Sequence, residues 1–264
     1  MIRYKCLIKK DIKEVLRTGK LILFLALSFG IAFMIMGITV LFTDIPDELT
    51  VQLPGFDIES LESMMRMIYP KMTRGSLGVF SYYLGVFFTL ITVIVTHSLL
   101  PKERAKGKWI LPIEQGYEAR EIVASKTFCY STFAGCSVFI SYMFYYMVAN
   151  TFMERDMPFL NALFCAFIHG LNLFFILANT MLLSVCFRSS VVAAISTLGT
   201  VLFVPDIMNY MPIGKYFPTY MLTFVYDSRS DYSSVTGPLI LNIVVLIITY
   251  YWAVIKVSSK NDKV

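Results

Sequence analysis

Five stretches of about 20 apolar residues constrain this chain more than anything else in it, because a helix of roughly that length crosses a bilayer core about 30 Å thick. They run Leu21 to Phe42, Leu77 to Leu100, Thr127 to Val148, Leu160 to Phe187 and Leu239 to Ile255, and a shorter sixth run covers Val191 to Val204. Lipid offers the backbone no hydrogen bonds, so such runs must satisfy their own as helices. The fold class read from them is an all-α polytopic membrane protein, residues 1–264 forming one transmembrane domain with six transmembrane helices. Composition agrees: 57% of the residues are hydrophobic and 16% charged, against about 45–50% and about 25% in soluble domains. The first run is too long for the apolar part of a signal peptide, and its preface contains Asp11 and Glu14, so it is read as a retained span.

Six spans put both termini on one side. The segments on that side (1–20, 101–126, Arg188 and 256–264) hold 17 Lys plus Arg and 7 acidic residues. The opposite segments (43–76, 151–158 and 205–236) hold 6 and 11. The positive-inside rule makes the first set cytoplasmic. The net charge of +5 is then orientation charge beside the membrane, not a nucleic-acid footprint.

Residues 1–20 read as an amphipathic N-terminal helix. Tyr4, Leu7, Ile8, Ile12, Val15 and Leu16 recur at helical spacing with Lys5, Lys9, Lys10 and Lys13 between them, so the helix is expected on the inner leaflet. Residues 43–75 read as an external loop with an amphipathic helix capped by Asp57 and carrying Ile58, Leu61, Met65 and Ile68 along one face. Residues 101–126 form a polar loop too long to be a plain connection. It is expected to hold one short helix from Lys102 to about Ile110 and another from about Tyr117, hinged at Pro112 to Gly116. Residues 205–236 are apolar but broken by Pro212, Gly214 and Pro218, and read as an external re-entrant segment before the last span.

The fourth run carries Asn161, His169, Asn172 and Asn179, which lipid would not tolerate without partners. They either hydrogen-bond neighbouring helices or line a translocation path. Ala162, Ala166 and Gly170 repeat at four-residue spacing and would let another helix approach closely.

Several chemistries have no residues to carry them. No span interior contains Asp, Glu, Lys or Arg, which weakens a proton- or sodium-coupled carrier. There is no G-x-S-x-G elbow and no H-E-x-x-H, so no catalytic residue is assigned. The three Gly-Lys pairs, at Gly19, Gly107 and Gly214, lack the glycine that a phosphate-cradling loop places five residues earlier. Two histidines and five cysteines without a C-x-x-C pair suggest no metal site, and the cysteines read as small buried hydrophobes.

The loop after the second run resembles the corresponding loop of ABC transporter permease subunits of the type-2 exporter class. Those subunits follow the second span with Glu, a Gly four residues on, a Leu-Pro step and an Arg-Glu-Ile-x-x-x-Lys lead into the third. Here the same order reads Glu103, Gly107, Leu111-Pro112, then Arg120-Glu121-Ile122 and Lys126. Lys108-Trp109 departs from the usual Thr-Leu, and Ile113 to Tyr117 is longer than the common link. The resemblance implies a coupling helix between spans 2 and 3, docked on separate cytoplasmic ATPase subunits that would bind ATP and Mg. Glu103, Gly107, Leu111, Pro112, Glu114, Tyr117, Glu118, Arg120 and Glu121 would make that coupling surface. It also implies a second permease copy or close paralogue, a bacterial plasma-membrane location, and a chain that is not itself an enzyme and holds no cofactor. The 15 Met and 22 Phe suit an amphipathic or hydrophobic cargo. Small permeases of this kind resemble exporters of bacterial peptide toxins such as phenol-soluble modulins, which makes an amphipathic peptide the expected cargo. Drug or ion export, or a non-transporting scaffold or sensor, are the alternatives.

Overall fold

The computed structural model describes residues 2–43, 75–152, 158–187, 189–202, 216–217, 220–226 and 233–261. Among these it is all-helical, with no strand. Helices α1 (Ile2–Arg17) and α2 (Lys20–Thr43) are followed by α3 (Gly75–Tyr83), a π-helical turn at Leu84–Phe88, α4 (Thr89–Thr96), α5 (Leu99–Ala105) and α6 (Ile110–Glu114). Then come α7 (Ala119–Phe152), α8 (Phe159–Cys186), α9 (Ser190–Leu202), the single turn and a half of α10 (Met221–Tyr226), and α11 (Ser233–Asn261).

Five helical stretches are long and apolar enough to cross a membrane: Lys20–Gly37, Leu77–Ala105, Ala119–Thr151, Phe159–Cys186 and Val235–Ser258. The sixth expected span, the shorter run, is described only as far as Leu202. Its described helix, α9, has 13 residues, about 20 Å at 1.5 Å per residue and short of the hydrocarbon core. The external helix expected within 43–75 lies outside the described residues, and so does most of the 205–236 segment, of which α10 is the main described part.

The centre of the bundle is the antiparallel pair α7 and α8, with α2 and α1 against α7, and α4, α9, α10 and α11 against α8. Small residues set how close the central pair comes. At the crossing of Gly135 and Gly170, a Cβ added to either would stand 2.7 Å from the other's carbonyl oxygen, so only glycine fits both sides. Ala162 and Ala166, the other members of the expected small-residue strip, are fully buried. Serine ties α2 to α7: the Ser141 hydroxyl donates to the Ser28 carbonyl at 2.9 Å, and Ser28 donates to the Ser137 carbonyl at 3.4 Å. Phe80 stacks on Tyr145 with centroids 4.1 Å apart, joining α3 to α7. Outward faces of α2 and α11 carry Ile22, Phe33, Ile240, Ile247, Ile248 and Ile255, all exposed, as lipid-facing surfaces require. Cys129 and Cys165 are buried as expected, but Cys6 and Cys136 are exposed, because their positions fall on the outward faces of α1 and α7.

Candidate functional site

The sequence predicts that the apolar face of α1 lies on lipid, but part of that face is turned into the protein. Leu7, Asp11 and Val15, one turn apart, are buried, and the helix packs along α7 and α2. An aspartate at the middle of a buried stripe needs a cation, and α7 supplies it. Lys126 Nζ lies 3.4 Å from Asp11 Oδ1, 2.8 Å from Glu14 Oε2 and 3.0 Å from Glu103 Oε2. One ammonium thereby joins α1, α5 and α7. Its side chain is only 5% exposed, and those of Asp11 and Glu103 are 2% and 7%. The contact to Glu103 is an ion pair outside hydrogen-bonding angle.

Around this knot sit further polar contacts. Ser125 donates its hydroxyl to Asp11 Oδ2, Lys108 Nζ reaches Glu14 Oε1 at 3.4 Å, and Lys20 Nζ donates to the Tyr130 hydroxyl at 2.7 Å. Burial pushes the Glu14 carboxyl up, but its hydrogen bond to Lys126 and the charges of Lys126 and Lys108 outweigh that and hold it at about 2. Removing four charged groups from water is costly, and only this density of opposite charge and hydrogen bonds offsets it.

The loop above the knot is shaped by two glycines. Gly107 has φ +68° and Gly116 φ +84°, left-handed values that a side chain rarely adopts. Each closes a helix in the same way. Gly107 N–H donates to the Arg104 carbonyl and Lys108 N–H to that of Glu103; Gly116 N–H donates to Ile113 and Tyr117 N–H to Pro112. These are paired Schellman-type closures. The expected helix boundaries therefore shift: α5 stops at Ala105, a separate α6 follows, and the turns are at Gly107 and Gly116. Pro112 is no hinge, since it sits in the first turn of α6, where its missing N–H costs nothing. Two of the Gly-Lys pairs also acquire a role: Gly19 (φ +71°) and Gly107 end helices and deliver Lys20 and Lys108 to the charged cluster. The third, at Gly214, lies outside the described residues.

The nine expected coupling residues divide by orientation. Glu103 and Pro112 are buried, and Gly107 makes a turn. Leu111 is 61% exposed, flanked by exposed Ile110 and Ile113, while Glu114, Glu118 and Arg120 are also exposed. Glu118 and Arg120 pair with each other. Glu121 Oε2 accepts the Glu118 N–H at 3.0 Å, half of a capping box at the start of α7. Tyr117 is half-buried against the core. Trp109, the residue before α6, is buried, with Arg104 5.9 Å from its ring.

The polar residues of α8 occupy different surroundings. Asn161, Asn172 and Asn179 share one helix face by spacing. Asn179 Oδ1 accepts the Thr249 hydroxyl of α11 at 2.8 Å, Asn172 is buried and Asn161 half-exposed. His169, fully enclosed, hydrogen-bonds through Nε2 to the Ser81 carbonyl at 3.0 Å, one turn before the π-helix. At least His169 and Asn179 therefore serve as interhelical ties.

Asp11 and Glu14 are the members that sequence reading missed. The available signal was Asp11 itself, in line with Leu7 and Val15 at four-residue spacing, where a solvated residue does not belong. Among the described residues no group of three His, Cys, Asp or Glu is arranged to hold a metal. Compared with protein families, curated proteins and solved structures, the chain matches none of them.

Proposed function

We propose that the chain is the membrane-spanning permease subunit of an ATP-driven ABC exporter, working as a pair of permeases on two separate cytoplasmic ATPase subunits. The observation that carries this reading is the set of exposed apolar side chains on α6, Ile110, Leu111 and Ile113, in the loop whose Glu103 and Lys108 reach the ionic knot. Three exposed apolar side chains on a five-residue helix, bracketed in the loop by exposed Lys106, Lys108, Glu114 and Glu118, are costly in water and favour a protein partner. The knot supplies the transmission. A displacement of α5 and α6 is carried by Glu103 and Lys126 into α7, and by Asp11 and Glu14 into α1, so that the loop, span 2, span 3 and the N-terminal helix move as one body. Energy for transport then comes from nucleotide bound by the partner. On this reading the basic end is cytoplasmic, α9 with the residues beyond it makes the sixth crossing, and the membrane is a bacterial plasma membrane.

Span interiors free of fixed charge, with Asn172 and buried hydroxyls inside the bundle, suit an amphipathic peptide cargo better than an ion. Asn161, His169, Asn172 and Asn179 would meet the path only where the α8 interface opens during the cycle.

The test is recovery of an ATPase subunit with the tagged full-length chain from its native membrane. Stoichiometric recovery is expected, with at least a tenfold loss in Leu111→Asp and normal membrane insertion of that variant. Recovery of the chain alone across several mild detergents would overturn the exporter reading in favour of a scaffold.

A further inference from the structure

We infer that the outward side of α1 is a binding surface selective for anionic phospholipid headgroups. The structure fixes the roll of this helix about its axis, which sequence spacing cannot do. With Leu7, Asp11 and Val15 turned into the protein, both acidic residues of α1 face Lys126. The outward side is left with Lys5, Lys9, Lys10, Lys13 and Arg17, all exposed, and among the described residues no carboxylate pairs with them.

The outward residues form two parallel rows. Ile8, Ile12 and Leu16, four apart, run from half-buried to exposed. Lys5, Lys9 and Lys13 run beside them, each lysine three residues before its apolar neighbour and therefore adjacent on the helix surface. An apolar row continuous with a cationic row is the arrangement that sinks between acyl chains and phosphates at a bilayer surface. Uncharged lipid would satisfy the first row alone. Five cations that no carboxylate of the described residues neutralises call for anionic headgroups, and a lysine chain keeps its stem in the apolar layer while its ammonium reaches the phosphate plane. The surface lies where α1 meets α2 through the Gly19 turn, next to the start of the first span, which is the depth of the headgroups. The inference rests on the membrane reading of the spans and not on the exporter reading.

The full-length chain is purified in mild detergent with equimolar phosphatidylglycerol and phosphatidylcholine, and native mass spectrometry reads which lipid it retains at low and high salt. Retention of phosphatidylglycerol over phosphatidylcholine is expected, declining as salt rises. The triple variant Lys5→Gln, Lys9→Gln, Lys13→Gln should lose on the order of 100-fold in that preference, at roughly fivefold per lysine. The corresponding triple arginine variant should keep it, which separates charge from folding. Equal retention of the two lipids by the native chain, an unchanged preference in the glutamine variant, or an equal loss in Lys102→Gln with Lys106→Gln on the loop would each overturn the assignment. So would displacement of the bound lipid by an acidic peptide at comparable concentration.

Discussion

Lys126 and Glu103 stand 3.0 Å apart, both almost fully enclosed, and the pair fastens the end of the second span to the start of the third. Removing one partner of a buried ion pair leaves the other charge without compensation, at a cost of about 3–5 kcal/mol. Lys126→Met strands three carboxylates at once. It should lower the thermal unfolding midpoint of the detergent-solubilised chain sharply, and Lys126→Met with Glu103→Gln should cost less than the two single changes added together. Additivity in that double-mutant cycle would show that the pair is not coupled.

Acid should loosen α1. The Glu14 carboxyl is held at about 2, below its ordinary 4.5, so its ionised form is stabilised in the folded chain. That contribution is complete above pH 4.5 and is lost as pH falls from there towards 2. Hydrogen exchange of α1 amides should therefore be flat down to about pH 4.5, after correction for intrinsic rates, and rise below it. Glu14→Gln should raise exchange at neutral pH and flatten the acid response.

The crossing of α7 and α8 tolerates no side chain. Gly170→Ala or Gly135→Ala places a Cβ 2.7 Å from a backbone oxygen, and forcing the helices apart should cost about 1–3 kcal/mol. Gly199→Ala, with nothing within 4 Å of the new carbon, is the matched control and should leave the unfolding midpoint unchanged or slightly raised. Equal effects at the two sites would mean that the close approach contributes nothing.

Thr249→Val removes the hydroxyl that reaches Asn179 at 2.8 Å and keeps the side chain's shape. Interhelical hydrogen bonds of this kind contribute about 0.6–2 kcal/mol within a membrane. A loss in that range, abolished in an Asn179→Leu background, would place the bond between α8 and α11. If Asn179 instead faced a water-filled path, the two changes would be independent.

The helical bundle was readable because apolar run length is a one-dimensional property, and Leu77 to Leu100 or Leu160 to Phe187 needs no partner to be recognised as a helix. The close approach at Gly170 was readable for a similar reason, since only small residues repeat along that face. The rotation of α1 was not. Tyr4, Leu7, Ile8, Ile12, Val15 and Leu16 fit one broad apolar face equally well whether it meets lipid or protein, and only contact with Lys126, over a hundred residues away, splits it into a protein-facing and an outward row. The loop failed for a local reason: proline in a first turn and proline at a hinge have the same sequence, while the dihedral angles of Gly107 and Gly116 depend on which carbonyls remain to be capped. Glu103 is expected on the coupling surface, and its burial against Lys126 was invisible without Asp11 and Glu14.

The knot also imposes an order on synthesis. Asp11 and Glu14 leave the ribosome before their partner, since the ammonium that neutralises them follows 112 residues after Glu14. At roughly 5–20 residues per second that is a delay on the order of 10 s, during which two carboxylates and a row of lysines share a helix that lacks its α7 partner. Throughout that interval α1 is free to rest at the membrane surface on any side. The arrival of the third span selects one, so α1 is made before α7 but takes its final orientation only after Lys126 has emerged.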